Sequence, residues 1–212
     1  MAAARFVTFE GGEGAGKSTQ VARLAAALAD AGVAVRRTRE PGGSLGAEEI
    51  RGLIVGGAAD RWDARTEALL IAAARRDHVV RTIRPALAAG EWVLCDRFTD
   101  STMAYQGVAG GVGREAVDWL RRFAADDLEP DLTLVIDVPV AMGLARAAAR
   151  ADGKHRFELR DRAFHERLRA AFLEIAAGAP RRCAVVDGAA APDAVAAAVR
   201  DAVRERLGVA LP

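Results

Sequence analysis

Eight consecutive residues carry the strongest chemical signal in the chain. Gly11-Gly12-Glu13-Gly14-Ala15-Gly16-Lys17-Ser18 follows the pattern G-x-x-x-x-G-K-[ST] throughout. Glycines so spaced let backbone N–H groups turn inward as a cradle for anionic oxygens, and a helix starting at Lys17 adds the partial positive charge of its N-terminus. Lys17 is placed to reach β- and γ-phosphates. Ser18, followed by Thr19, is placed to ligate Mg²⁺. The pattern predicts a bound nucleoside triphosphate, with Mg²⁺. It leaves open whether the γ-phosphate passes to water, to an acceptor or to nothing, as in a conformational switch.

A second set of groups follows the apolar run Trp92-Val93-Leu94-Cys95. Asp96 ends that run where nucleotide-binding folds place a metal-associated carboxylate, which makes Ser18 and Asp96 the candidate metal ligands. Arg97 brings a planar guanidinium suited to bidentate contact with a phosphate. The next residues, from Phe98 to Gly107, include the chain's one tyrosine, Tyr105, and also Ser101 and Gln106, whose hydroxyl and amide groups could read a base or a sugar. No Ser–His–Asp or Cys–His arrangement is evident. His78, His155 and His165 fall in helical or loop contexts and receive no catalytic role.

These groups need a scaffold that brings them to one edge. The apolar pattern alternates between short runs and helical spacing. It predicts strands at Phe6–Phe9, Val33–Val35, Trp92–Cys95, Leu132–Ile136 and Ala184–Val186. Helices are expected over Lys17–Ala31, Ala47–Val55, Thr66–Leu87 with a break near Pro85, Arg114–Ala125, Ala141–Ala149, Asp161–Ala177 and Pro192–Leu207, with a glycine-rich loop over Gly107–Gly113. Alternating strands and helices, with near-continuous apolar strands, imply an α/β fold: a parallel sheet covered by helices on both faces. Ligands of such sheets gather beyond the carboxyl ends of the strands, where the Gly11–Ser18 loop and Asp96-Arg97 would meet.

Composition narrows the class. The chain has 212 residues, 51% apolar and 28% charged, which suits one folded domain and excludes a disordered chain. A net charge of +1 offers no overall basic surface for nucleic acid. Two cysteines, Cys95 and Cys183, form neither a disulfide framework nor a zinc spacing, so a reducing, cytoplasmic setting is expected. No leader-like segment or membrane span is expected. Of the 30 basic residues only Lys17 and Lys154 are lysines.

With these segments in hand the chain resembles the bacterial thymidylate kinases. The resemblance rests on Phe9-Glu10-Gly11 through Ser18-Thr19, on Thr38-Arg39-Glu40-Pro41-Gly42-Gly43, on Asp96-Arg97-Phe98 with Ala104-Tyr105-Gln106-Gly107, and on Arg156-Phe157-Glu158, in the family's order. It implies a P-loop nucleoside monophosphate kinase-like fold, phosphoryl transfer from ATP to dTMP, and a homodimer. By the same resemblance, Glu13 would sit near the acceptor sugar 3′-hydroxyl. Arg97 would hold the acceptor phosphate, Tyr105 would lie against the deoxyribose, and Arg75 and Gln106 would face the base. Arg51 would lie near the acceptor phosphate, with Glu40 and Pro41 lining the acceptor site. Ile71 departs from the family, which commonly carries Phe there to stack on thymine.

Between the helices at Ala141–Ala149 and Asp161–Ala177 lies Arg150-Ala151-Asp152-Gly153-Lys154-His155-Arg156, a basic loop around one glycine. Such a segment suits a lid, at about residues 150–157, that closes over phosphates and adds positive charge. The resemblance implies the type with Gly at position 14 and a catalytic arginine in the lid, Arg150 ahead of Arg156. A kinase for another nucleoside monophosphate or a deoxynucleoside, and a nucleotide-dependent switch, are the competing expectations.

Overall fold

Phe6–Glu10 forms the central strand, β1, and is buried along its whole length. Its side chains alternate between two layers. Val7 and Phe9 join Val21, Leu24 and Leu28 of α1 (Lys17–Asp30) and Val195, Val199 and Val203 of α9 (Pro192–Leu207). Phe6 joins Val79, Ile83, Phe98 and Ala125 in the opposite layer. A strand covered on both sides must be apolar at nearly every position, which is why it read as a continuous run.

The computed structural model describes residues 3–58, 60–149, 156–209 and 211. The other strands are β2 (Val35–Arg39), β3 (Trp92–Asp96), β4 (Leu132–Asp137) and β5 (Cys183–Asp187). All pairings are parallel and the order is β2-β3-β1-β4-β5. The α/β class with helices on both faces is therefore as expected. Helix α8 (Arg162–Gly178) covers the far side through Leu168 and Phe172, against Val135 and Cys183.

Three elements differ from the sequence reading, each for a physical reason. β2 begins at Val35 rather than Val33, because it is an edge strand whose Arg36, Arg37 and Arg39 are exposed and give no apolar run. The Thr66–Leu87 stretch is one helical path in three parts: α3 (Ala64–His78), a π-helical turn at Val79–Ile83, and α4 (Arg84–Ala88). Pro85 lacks an N–H and its ring would press on the carbonyl four residues back, so the turn before it widens. After the short α5 (Thr99–Thr102), Met103–Ala109 is also π-helical. The chain leaves that turn by wide bonds, Val112 N to Gln106 O at 3.0 Å and Gly113 N to Gly107 O at 3.0 Å, so the expected loop starts later than Gly107.

Among the described residues the other helices are α2 (Leu45–Val55), α6 (Arg114–Ala125) and α7 (Val140–Ala148), with a 3₁₀ turn at Arg156–Leu159. Most of the expected lid, including Arg150, Lys154 and His155, lies outside the described residues.

Candidate active site

The sheet order makes β1 and β3 neighbours, with Phe9 opposite Asp96. The Gly11–Ser18 loop leaves β1 and Asp96-Arg97 leaves β3, so both emerge at the same edge. Arg97 N donates to Phe9 O at 2.9 Å, continuing the ladder past the end of β3. Ser18 Oγ donates to Asp96 Oδ2 at 2.5 Å, which sets the two expected metal ligands side by side. Lys17 is 7% exposed and its Nζ donates to Gly12 O at 2.8 Å and Gly11 O at 3.2 Å. Burial, then the Arg97 charge, pulls its ammonium down to about 8.

Arg97 is the hub of the opposite wall. Its Nη1 donates to Gly11 O at 2.9 Å and Ser101 Oγ at 3.2 Å, and its Nη2 to Glu13 Oε1 at 3.0 Å. Its guanidinium lies 4.9 Å from the Tyr105 ring centre. Tyr105 Oη donates to the same Glu13 Oε1 at 2.6 Å. Burial works against the Arg97 charge, but Tyr105, Glu13 and Asp96 outweigh it and its pKa is raised. Burial likewise pushes the Tyr105 phenol well above its ordinary value. The Arg97 backbone has φ 73, a conformation that side chains other than glycine seldom adopt. A fully buried carboxylate lies beneath: Glu10 accepts from Phe98 N at 2.8 Å and from Ser101 Oγ at 2.5 Å. Burial and then Asp100 raise its carboxyl to about 7.

The floor of the cleft comes from α3. Glu67, Ile71 and Arg75 are buried at a spacing of four, hence on one helical face. Arg75 Nε donates to Glu40 Oε2 at 2.8 Å, and its Nη2 to Phe98 O at 3.0 Å and Thr102 Oγ1 at 2.9 Å. Glu40 also meets His78 Nδ1 at 3.0 Å, and His78 Nε2 meets Thr38 Oγ1 at 2.7 Å. Arg51 Nη1 donates to Pro41 O at 2.7 Å. Gln106 Nε2 donates to Glu67 Oε1 at 2.6 Å. The cleft enclosed by these walls measures about 510 Å³.

Of the residues expected from sequence, Glu13 to Thr19, Glu40, Pro41, Arg51, Ile71, Arg75, Asp96, Arg97, Ser101, Tyr105 and Gln106 all line this one cleft. Gly11 and Gly12 border a smaller cavity under the loop, of about 20 Å³, lined also by Val140 and Gly143 of α7. Arg156, expected near the transferred phosphate, is 1% exposed and does not line the cleft. It donates to Ile54 O at 3.0 Å and is ion-paired with Glu67, a buried cation matched to a buried carboxylate. The sequence reading gave no role to Glu10, Glu67, His78 or Arg146. Glu10 lay within the quoted Phe9-Glu10-Gly11 segment, and Glu67 shares the four-residue spacing with Ile71 and Arg75. Arg146, on α7, lines the cleft beside the Gly11–Ser18 loop and donates to Gly188 O at 2.8 Å.

The family model for thymidylate kinase matches residues 9–199. The thymidylate kinase of Caulobacter vibrioides is 57% identical over 204 residues, covering 96% of this chain and 98% of the relative. That of a Bradyrhizobium species is 56% identical over 209 residues, covering 98% and 92%. The crystal structure of thymidylate kinase from Ehrlichia chaffeensis matches with a TM-score of 0.79 at 34% identity, covering 95% of this chain and 99% of that one.

Proposed function

The chain belongs to the thymidylate kinase family, and from that membership and the cleft we infer that it moves the terminal phosphoryl group of ATP to dTMP, giving dTDP and ADP. The observation that carries the reading is the meeting of two anion-holding elements at one sheet edge. Lys17 and the loop amides stand on one side, and Arg97, fixed by Glu13, Gly11 O and Ser101, stands on the other. A protein that only hydrolyses a nucleotide needs no second clamp. The test is ADP release with dTMP, dUMP, UMP, dCMP, CMP, AMP, GMP and thymidine offered singly. Preference for dTMP is the expected result. Turnover with thymidine alone would remove the phosphate-holding role of Arg97, and acceptor-independent hydrolysis would point to a switch.

In this mechanism the chain supplies alignment and charge, not proton transfer. A phosphate monoester near neutral pH already carries a nucleophilic oxygen, so no general base is required. Arg97 would grip the acceptor phosphate, while Glu13 and Tyr105 border the sugar. Gln106, Arg75 and Ile71 wall the base. The loop amides and Lys17 would hold the donor phosphates in line with the acceptor. Ser18 Oγ and Asp96 Oδ2 form a pair of adjacent hard oxygens, which fits Mg²⁺, an ion that takes few protein ligands alongside phosphate and water. When bound there, Mg²⁺ neutralises charge on the phosphate oxygens. We assign closure to a lid at about 150–157 within a single domain, with Arg150 as its cation toward the transferred group. Arg156 anchors the base of that lid through Glu67 and Ile54 O.

Ile71 is 8% exposed and lines the cleft. A phenyl ring there would add stacking on thymine, about 1–3 kcal/mol per base. Ile71→Phe is therefore expected to lower the KM for dTMP about tenfold or more with turnover little changed. An unaltered KM would place the side chain against its own helix.

We also propose a homodimer in the cytoplasm. Supporting the pairing, Trp119 and Phe123 of α6 are 59% and 71% exposed and stack on each other at 5.1 Å, with Leu69 also exposed on the adjoining α3. Paired exposed aromatics of this kind mark contact surfaces. Trp119→Asp is expected to convert the dimer to monomer in sedimentation velocity, and a wild type that sediments as a monomer would remove the proposal. Both cysteines are free and buried, in keeping with a reducing compartment. No helix among the described residues is long and apolar enough to cross a membrane. A net charge of +1 argues against nucleic acid as a partner.

A further inference from the structure

Helix α7 carries a buried glycine in its interior, Gly143, where alanine would make the better helix. The reason lies across the cleft edge. A Cβ on Gly143 would stand 2.5 Å from the Glu13 carbonyl oxygen. Reciprocally, a Cβ on Gly14, whose φ is +65, would stand 1.9 Å from the Gly143 carbonyl oxygen and 3.0 Å from Ala147 N. The tip of the phosphate loop thus lies backbone on backbone against α7, with no side chain between them. Both contacts involve main-chain atoms on each side, so neither can be relieved by turning a flexible side chain. The seat itself is held, because Arg146 of the same helix donates to Gly188 O at 2.8 Å.

The residue seated there is the one on which the acceptor side converges. Glu13 Oε1 accepts from Arg97 Nη2 at 3.0 Å and from Tyr105 Oη at 2.6 Å. We propose that Gly143 is a positioning residue for phosphoryl transfer: by admitting the Glu13 main chain, it sets where the Glu13 carboxylate stands and hence where Arg97 and Tyr105 are held. The proposal rests on the role given above to Arg97. Gly143 does not line the cleft and would act through the loop tip that carries Glu13.

Gly143→Ala separates this from a structural role, because alanine favours the helix while its methyl displaces the loop tip. The control is Gly178→Ala at the end of α8, where a Cβ meets nothing within 4 Å. Three quantities are read: melting temperature, turnover at saturating ATP and dTMP, and the tyrosine Fermi doublet in the Raman spectrum. The doublet reports phenol hydrogen bonding, and the chain has a single tyrosine, Tyr105. Gly143→Ala is expected to stay folded and melt no more than a few degrees below the wild type, because the gain in helix propensity offsets part of the crowding, to show a shifted doublet, and to turn over at least about tenfold more slowly. Gly178→Ala should match the wild type in turnover and doublet. Should Gly143→Ala fold poorly, Glu13→Asp withdraws the carboxylate without touching α7, and it is expected to reproduce both the shift and the loss. Wild-type turnover in Gly143→Ala or in Glu13→Asp overturns the proposal, as does lost turnover with an unshifted doublet. A failed dTMP assignment shows itself separately, as wild-type protein with no acceptor-dependent turnover but a normal doublet response.

Discussion

Lys17→Met is expected to lose at least about 10³-fold in turnover and to melt several degrees higher than the wild type at pH 7. The two effects share a cause. Lys17 is 7% exposed, and its Nζ donates to two loop carbonyls, Gly11 O and Gly12 O. Burial and the Arg97 charge hold its pKa at about 8, against 10.5 for an ordinary lysine. A folded-state value below the unfolded one means that the charged amine costs folding free energy, about 3 kcal/mol once protonation is complete. That cost is full below about pH 8, tapers as pH rises toward 10.5, and is absent above it. Methionine fills the same volume without a charge, so its stability advantage should shrink over that same window in thermal melts. The phosphates of a bound nucleotide would give this ammonium its counter-charge. For the wild type, kcat/KM for ATP should therefore fall as pH rises through about 8. A variant with near-normal turnover, or one that melts lower at pH 7, would contradict this account.

Arg97→Lys is expected to cut kcat/KM for dTMP by about 10²-fold or more, while ATP binding changes by no more than about twofold. Losing one partner from a buried, hydrogen-bonded charge pair costs about 2–5 kcal/mol. Lysine keeps the charge, but its single nitrogen cannot span Gly11 O, Ser101 Oγ and Glu13 Oε1 together, as the two guanidinium nitrogens do. Arg97→Gly should be as inactive and yet fold at least as well as the lysine variant, because glycine adopts φ 73 without strain. The glycine variant has a second signature. Arg97 is the neighbouring charge that depresses Lys17 most, so its removal should move the alkaline fall in kcat/KM for ATP to higher pH. Acceptor kinetics and a pH series on the two variants check all three expectations. A lysine variant with wild-type acceptor efficiency would show that point charge alone suffices.

Much of the site could be read in the chain before its shape was known, and what could not has identifiable causes. The Gly11–Ser18 loop, Asp96 and Arg97 were legible because each sits at the end of an apolar run, and the end of a run is where a parallel sheet presents ligand-holding groups. Ile71 and Arg75 enter only through the family resemblance, since a short apolar stretch of helix carries no motif that marks them. Glu67 was not legible, although it shares their helical face, because a glutamate on a polar-flanked helix looks solvated until the helix is packed. His78 was dismissed as helical, yet it is fully buried and braces Glu40 from behind. That bracing depends on β2 lying beside β3, a non-local fact. Arg156 is the opposite case: a basic residue in a basic loop around one glycine reads as a hand over phosphate, and in the fold it meets the buried carboxylate of Glu67. In the fold, the two π-helical turns escaped notice because widened turns leave no mark in a 3.6-residue pattern.

The second of those turns bears on how such a pocket could change over generations. A π turn is a widened turn within a helical path, closed by i→i+5 bonds, and its register sets which way the residues in and after it face. Met103–Ala109 holds Tyr105 and Gln106 in this widened register. Deleting Met103 would let the segment close to ordinary α-helical spacing, turning the following residues by about 100°. Gln106 would then stand near the place of Tyr105, and Gly107 near that of Gln106. The acceptor wall would exchange a phenol for an amide while the Gly11–Ser18 loop kept its sequence. A lineage could thus reach a new acceptor by losing one codon, a step that substitution at any single position does not reproduce.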